Sequence, residues 1–302
     1  MKEFKIKSFD GYELYCYLYD EVENPKGVYQ ITHGMAEHAL RYKPFAEFLN
    51  KNGYIVFAND LRAHGKSAGS VEKVSLVVNG DLFDETVQDQ IFLSKYLKEQ
   101  YPNLPLFLMG HSYGSFITQR YIQLCDIPKA VILMGSARQD GMLCVAGSFI
   151  NWFIYTFKGK DTPSKIIADI SFGGYQKQFK EGHWITSVKE ISDAYEADPY
   201  CGAIFSAGFY KYFFGNIRKT LYKKKNLQNI KKDLPLFIVS GELDPVGGPV
   251  KLVELLYDTY IKLGLTNVSK KLYPNMRHEI LNEVDYITPY NDLLDFINKN
   301  ND

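Results

Sequence analysis

Residues 106–115 read Leu106-Phe107-Leu108-Met109-Gly110-His111-Ser112-Tyr113-Gly114-Ser115. A short apolar run suited to a buried strand leads into Gly-x-Ser-x-Gly, and a helical pattern over residues 113–124 follows. Glycines on both sides of the serine point to a turn too sharp for side chains there, which lifts the hydroxyl clear of a sheet edge. The same turn sets Ser112 at a helix N-terminus, where backbone N–H groups favour developing negative charge. The five-residue pattern alone is common. The strand before it and the helix after it make Ser112 the candidate nucleophile.

Strand-like and helical stretches alternate outward from this segment. Residues 4–9 and 12–19 read as a hairpin around the two-residue turn Asp10-Gly11. Strand-like runs recur at 28–32, 54–58, 104–109 and 130–134. Between them lie helices marked by Phe45, Phe48 and Leu49, closed by Gly53, and by Val87, Ile91, Ser94 and Leu97. Asp84 is the expected cap of the second, which runs to about Gln100. Such alternation implies an α/β fold with a mostly parallel sheet. Over residues 137–229 the rhythm breaks into apolar helical stretches. It resumes with strands at 234–240 and 268–272 and helices at 250–263 and to about Asn298. The expected organisation is a core of residues 1–136 and 230–302, with 137–229 inserted.

Composition narrows the classes. Of 302 residues, 46% are apolar, enough for a sizeable core and too many for disorder. Lys+Arg is 35 and Asp+Glu is 35, so the net charge of zero argues against a nucleic-acid partner. Cys16, Cys125, Cys144 and Cys201 form no CxxC pair and read as reduced thiols of a cytoplasmic protein. The N-terminus alternates charged and apolar residues, unlike a signal peptide. The longest strongly apolar stretch, 141–157, has 17 residues and holds Ser148 and Asn151. A membrane span needs about 18.

A serine hydroxyl needs a base. Histidines stand at 33, 38, 64, 111, 183 and 278. In folds with this elbow the order along the chain is serine, acid, histidine. That leaves His278, in Tyr273-Pro274-Asn275-Met276-Arg277-His278-Glu279. The acid should end a strand between the two, and Leu236-Phe237-Ile238-Val239-Ser240-Gly241-Glu242-Leu243-Asp244-Pro245-Val246 fits. Asp244 is favoured over Glu242 because Pro245 fixes the turn; its role is to orient His278 and stabilise the imidazolium. Acyl transfer also needs two N–H donors at the developing oxyanion. Tyr113, next after the serine, supplies one, and Met35, beside Gly34 in the early loop, supplies the other. His33, Glu37 and His38 look superficially like metal ligands. Their spacing is not His-Glu-x-x-His and the sequence offers no third ligand, so no metal and no cofactor is expected.

His33-Gly34-Met35-Ala36-Glu37-His38 with Arg41-Tyr42 resembles the His-Gly-x-x-Glu-His-x-x-Arg-Tyr segment of monoacylglycerol lipases and bacterial lysophospholipase-like α/β-hydrolases. Asp60-Leu61-Arg62-Ala63-His64-Gly65-Lys66-Ser67 is similar to that family's Asp-x-Arg-Gly-His-Gly-x-Ser, with Ala63 for Gly. Gly110 to Gly114 matches the elbow, with Tyr113 where Met is common and Ser115 where a further Gly is common. Ser240 to Val246 and His278 complete the likeness, which runs from about residue 9 to 299 outside the insertion, and Asp198-Pro199 within the insertion resembles the family's Asp-Pro near the cap's return.

The resemblance implies an α/β-hydrolase fold with a helical cap at 137–229. It implies a serine hydrolase that cleaves lipid-like carboxylic esters, of monoacylglycerol or lysophospholipid type, through an acyl-enzyme. Small-ester carboxylesterases, thioesterases and aminopeptidase-like hydrolases share the scaffold. His33, Glu37, His38 and His64 then brace loops. In the cap, residues 142–157 are apolar on more than one helical stripe. Phe149, Trp152 and Phe153 are the expected acyl-pocket residues. Arg218, Lys219, Lys223, Lys224, Lys225, Lys231 and Lys232 form a basic run. With the cap, that run makes transient membrane-surface contact a further expectation.

Overall fold

A computed structural model describes residues 1–77, 80–248 and 250–301. Its strands are β1 (Lys2–Lys7), β2 (Glu13–Tyr19), β3 (Gly27–Thr32), β4 (Tyr54–Asn59), β5 (Leu106–His111), β6 (Ala130–Met134), β7 (Leu236–Gly241) and β8 (Val268–Tyr273). They form one sheet in the order β1-β2-β4-β3-β5-β6-β7-β8. β2 pairs antiparallel with β1 and β4; every other neighbouring pair is parallel. The mostly parallel sheet read from the sequence is thus the one observed.

Strand composition follows position. β3, β4, β5, β6 and β7 are buried at every residue, as strands covered on both faces must be. The edge strands β1 and β8 alternate or lie exposed and carry Lys2, Lys5, Lys270 and Lys271, which discourage edge-to-edge pairing. One face packs α2 (Leu82–Gln100) and α3 (Tyr113–Tyr121) in a cluster with Val87, Leu108, Phe116, Leu133 and Ile238. On the other, α1 (Lys43–Lys51) and the C-terminal helix Ile287–Lys299 bury Phe45, Met109, Ile132, Tyr290 and Leu293. Leu108 and Met109 are sequence neighbours on opposite faces, the period-two signature of a doubly covered strand.

Two local readings change. The opening hairpin forms, but its register pairs Lys7 with Glu13, so the connection spans residues 8–12 rather than two. The Asp10 carboxylate accepts from the Tyr12 amide and receives both Arg62 terminal nitrogens at 2.7 and 2.8 Å, which holds the longer loop. α2 is capped by Asp81, not Asp84: the Asp81 carboxylate accepts from the Phe83 and Asp84 amides. Burial of Leu82 and Phe83 draws the helix start forward and leaves Asp84 in its first turn.

Between β6 and β7 the described residues are helical, with isolated bridges and no strand. The longest of these helices is α4 (Met142–Lys158), which packs on the helix Ala207–Asn216. Gly147 allows the close approach, since a Cβ there would lie 2.9 Å from the Phe214 ring. Buried Asn151 donates to the Ala207 carbonyl and accepts from the Ser164 hydroxyl. Phe205, Phe209, Ile217 and Leu221 join the same cluster as Leu108 and Phe116, so the inserted segment shares a core with the sheet.

Candidate active site

β5 ends at His111 and α3 begins at Tyr113, leaving Ser112 alone at the turn with φ 52° and ψ −119°. That conformation is strained for any residue with a Cβ, and strain of this kind marks functional turns. A side chain on Gly110 would collide with the Gly114 carbonyl and the Thr118 hydroxyl; one on Gly114 would collide with the Thr32 and His33 carbonyls. Both glycines are therefore demanded by close backbone approach. The Ser112 amide is spent on the Met134 carbonyl of β6 at 3.0 Å, which pins the elbow to the sheet. Ser115 uses its hydroxyl there, donating to the Ser112 carbonyl.

His278, in the loop after β8, lies with Nδ1 2.9 Å from Asp244 Oδ2, and both side chains are buried. Asp244 follows β7 at an Asp-Pro turn. Its Oδ2 also accepts from the Ser240 hydroxyl, and its Oδ1 from the Val246 amide. Glu242 is exposed. Burial pushes the Asp244 carboxyl up, but the His278 ring, the Ser240 hydroxyl and the Val246 amide together hold it below its usual range. For His278 the signs reverse: burial pulls the imidazole down, and the Asp244 charge and hydrogen bond leave it above its ordinary value. Ser240 had no assigned role in the sequence reading, although it stands in the quoted motif.

Two rings enclose His278. His111 lies 4.7 Å away between centroids and Trp184, from the inserted segment, 5.0 Å. Trp184 is strapped there. Arg277 donates to the His183, Thr186 and Glu181 carbonyls, and the Glu279 amide donates to the Ile185 carbonyl at 2.7 Å. Nothing in the sequence signals this contact, because the two segments are about ninety residues apart.

Behind Ser112, Glu37 organises the early loop. Its Oε1 accepts from the Gly34 amide at 2.6 Å and the Tyr42 hydroxyl at 2.9 Å, and lies 3.2 Å from His111 Nδ1. Its Oε2 accepts from Arg41, whose guanidinium also grips both Glu279 oxygens. Burial opposes ionisation of Glu37, yet His111 and Arg41 hold it well below the usual carboxylate value. His33 donates from Nδ1 to the Gly34 carbonyl and accepts the Leu61 amide on Nε2; burial lowers its pKa to about 4. His64 donates to the Arg62 carbonyl, and burial lowers it to about 3. His38 reaches Asp198 in the inserted segment at 2.9 Å. These side chains hold loops together. Among the described residues, no hydrogen bond takes up the Met35 or Tyr113 amide.

Ser112 sits where two cavities meet. One, of about 170 Å³, takes polar groups from Ser112, His278, Glu37, Glu279 and His183 into its lining, with Trp184 and Met35 at its wall. The other, of about 230 Å³, is mostly apolar and is lined by Ser112, Met35, Tyr113, Leu143, Cys144, Ile167, Phe213 and Phe214 among others. Phe149, Trp152 and Phe153 line neither. They are 61%, 53% and 44% exposed and stack on one another and on Phe157 along the outer face of α4. The expected acyl-pocket residues are corrected accordingly: α4 faces the cavity through Leu143, Cys144 and Gly147.

A family model described as serine aminopeptidase, S33, matches residues 23–285. The chain belongs to this hydrolase family. The S33-family chain is 28% identical to a monoacylglycerol lipase from Mycolicibacterium smegmatis over 282 residues, 91% of this chain and 89% of the relative. It is 35% identical to a monoglyceride lipase homolog of Monkeypox virus over 130 residues, 42% of this chain and 44% of the relative. Human monoglyceride lipase is 35% identical over 108 residues, 36% of this chain and 34% of the relative. The viral and human alignments thus span less than half the length of each relative. Among solved structures, a carboxyl esterase from Bacillus coagulans in complex with glycerol aligns at TM-score 0.90 and 24% identity, covering 100% and 99% of the two chains. A soluble variant of monoglyceride lipase from Saccharomyces cerevisiae aligns at TM-score 0.75 and 22% identity, covering 99% and 94%. These likenesses establish the α/β-hydrolase fold. No helix among the described residues is long and apolar enough to cross a membrane.

Proposed function

We propose that this chain is a serine hydrolase that cleaves carboxylic esters of lipid-like substrates, of monoacylglycerol or lysophospholipid type, through an acyl-enzyme. One observation carries the reading: Ser112 stands at the junction of a cavity lined in part by the polar groups of His278, His183, Glu37 and Glu279 and a larger, more apolar one. An ester with a long acyl chain and a hydrophilic alcohol has that same division. The acyl chain lies among Cys144, Ile167, Phe213 and Phe214, and the alcohol lies toward His183 and Glu279.

Ser112 Oγ attacks the carbonyl carbon while His278 Nε2 takes the hydroxyl proton. The amides of Met35 and Tyr113 receive the oxyanion, a contribution worth about 3 kcal/mol per donor in such sites. Collapse breaks the bond to the alcohol, which leaves with the proton from His278. Water, deprotonated by His278, then attacks the acyl carbon and releases the acid and the free serine. Asp244 keeps the proton of His278 on Nδ1 throughout.

Residues 137–229 act as the cap over this site. The exposed stack of Phe149, Trp152, Phe153 and Phe157 rests on a lipid surface from which substrate enters, since an apolar patch of that size is costly in water. Exposed lysines 223–225, 231 and 232 are free to meet anionic headgroups. Four free thiols accord with a cytoplasmic setting. A peptide amine is a poorer fit: Glu181, Glu190, Asp193 and Glu196 line neither cavity, and Glu37 and Glu279 are already paired with Arg41.

The test is hydrolysis of an ester series from acetyl to palmitoyl, monoacylglycerols included, with Ser112→Ala as the blank. A rate optimum at long chains supports the reading. Activity confined to acetyl and butyryl esters moves the function to a small-ester carboxylesterase and leaves the apolar cavity without a role.

A further inference from the structure

His38, Asp198 and Cys201 meet from two distant parts of the chain. His38 ends the loop that follows β3. Asp198 and Cys201 lie in the turn after the helix Lys189–Ala197, where the Asp198 carbonyl accepts the Cys201 amide. His38 Nε2, an Asp198 carboxylate oxygen and Cys201 Sγ all lie within 4.8 Å of one another. The three side chains are half-buried, reachable yet sheltered. Imidazole, carboxylate and thiolate are the donors that zinc takes in proteins.

Position and charge both favour a cation. Burial acts most on the Cys201 sulfur; of the charges, Arg41 is the strongest and is itself paired with Glu37 and Glu279, which leaves the Asp198 carboxylate beside the sulfur for a cation to neutralise. A tetrahedral zinc with bonds of ~2.0 Å to nitrogen or oxygen and ~2.3 Å to sulfur needs its donors roughly 3.3–3.7 Å apart. The His38–Asp198 pair, now at 2.9 Å, has to open by a few tenths of an ångström, and the sulfur, within 4.8 Å of both, has to move in by about 1 Å at most. The cluster is therefore close to a binding geometry without being locked in it.

We propose that His38, Asp198 and Cys201 bind a soft divalent cation of the zinc type, with the fourth position taken by water. Binding converts the Cys201 thiol to thiolate and releases its proton to solvent. The bound ion joins the loop that carries Met35 to the inserted segment. That junction already holds two hydrogen bonds, from the Gly202 amide and the Tyr195 hydroxyl to the Ala36 carbonyl, each 2.9 Å. The cation clamps a contact that exists and creates no new one.

The experiment is a titration of the purified chain with Co²⁺, read by absorbance and followed by Zn²⁺ competition. It compares the native chain with Cys201→Ser, His38→Gln and the control Cys125→Ser. A thiolate-to-cobalt charge-transfer band in the native chain and the control, abolished by Zn²⁺ and by Cys201→Ser, is expected. Zn²⁺ affinity should fall at least tenfold in Cys201→Ser and in His38→Gln. Cys201→Ser changes one atom, so loss of folding does not confuse the result, and circular dichroism checks it. Absence of the band in the native chain, or its survival in Cys201→Ser, overturns the proposal. None of these readouts depends on which ester the chain hydrolyses.

Discussion

Asp244 divides its carboxylate among three donors: His278 and Ser240 on one oxygen, the Val246 amide on the other. That arrangement ties the Asp244 charge to the protonation of His278. With its pKa above the ordinary imidazole value of about 6.5, His278 becomes protonated, and useless as a base, as pH falls through that raised value. The acid limb of kcat/KM should therefore have its midpoint above 6.5. In Asp244→Asn the burial of His278 is opposed only by the Glu279 and Glu37 charges, so the limb moves to lower pH while kcat falls by up to about 10⁴. A pH–rate profile of both proteins checks the pair. Glu37 offers a second test at this scale. Because its folded-state pKa is depressed, its stabilisation is present above the ordinary value of 4.5 and lost as pH falls toward the folded value. Glu37→Gln leaves Arg41 and Glu279 to rearrange and should cost about 3 kcal/mol at neutral pH. Urea unfolding should show that gap closing in acid. The order serine, acid, histidine made three candidates legible in the sequence: Asp244 and His278, which meet at 2.9 Å, and Ser112, which lines one cavity with His278. Ser240, and the convergence of four groups on Glu37, were not, because the partners of a buried carboxylate are supplied by contacts between distant segments.

At the scale of an element, α4 shows where sequence reasoning stops. Its residues are apolar on two stripes, and periodicity identifies both without saying which faces inward. Large aromatic side chains suggested the pocket wall, yet Phe149, Trp152 and Phe153 are on the outer stripe and the smaller Cys144 and Gly147 face the cavity. The inner stripe has to be small because the helix Ala207–Asn216 and its Phe214 occupy the space beside it. Two substitutions separate the faces. Cys144→Phe adds volume inside the cavity wall and should move the preference from long to short acyl chains by tenfold or more. Trp152→Ala should leave the chain-length preference for dispersed esters unchanged and lower co-sedimentation with phosphatidylglycerol vesicles. The reverse pattern would put the substrate on the outer stripe.

For the whole molecule, the order of strands and helices was readable because β3 to β7 are short, mostly apolar runs bounded by turns and buried throughout. The inserted segment was readable as an interruption but not as packing. Its Phe205 and Phe209 are buried in the same cluster as Leu108 and Phe116, so that segment and the sheet should unfold together. Both tryptophans, Trp152 and Trp184, lie in that segment. Their fluorescence should lose its folded signal at the same urea concentration as the far-ultraviolet circular dichroism of the sheet and helices. Separate midpoints would show a segment that folds independently. All of this structure converges on one hydroxyl at a strained turn, and the account is tested most directly there. A fluorophosphonate probe, followed by intact mass and peptide mapping, should add one adduct to the native chain, on Ser112, and none to Ser112→Ala. An unmodified native chain, or an adduct on any other residue, would contradict the account.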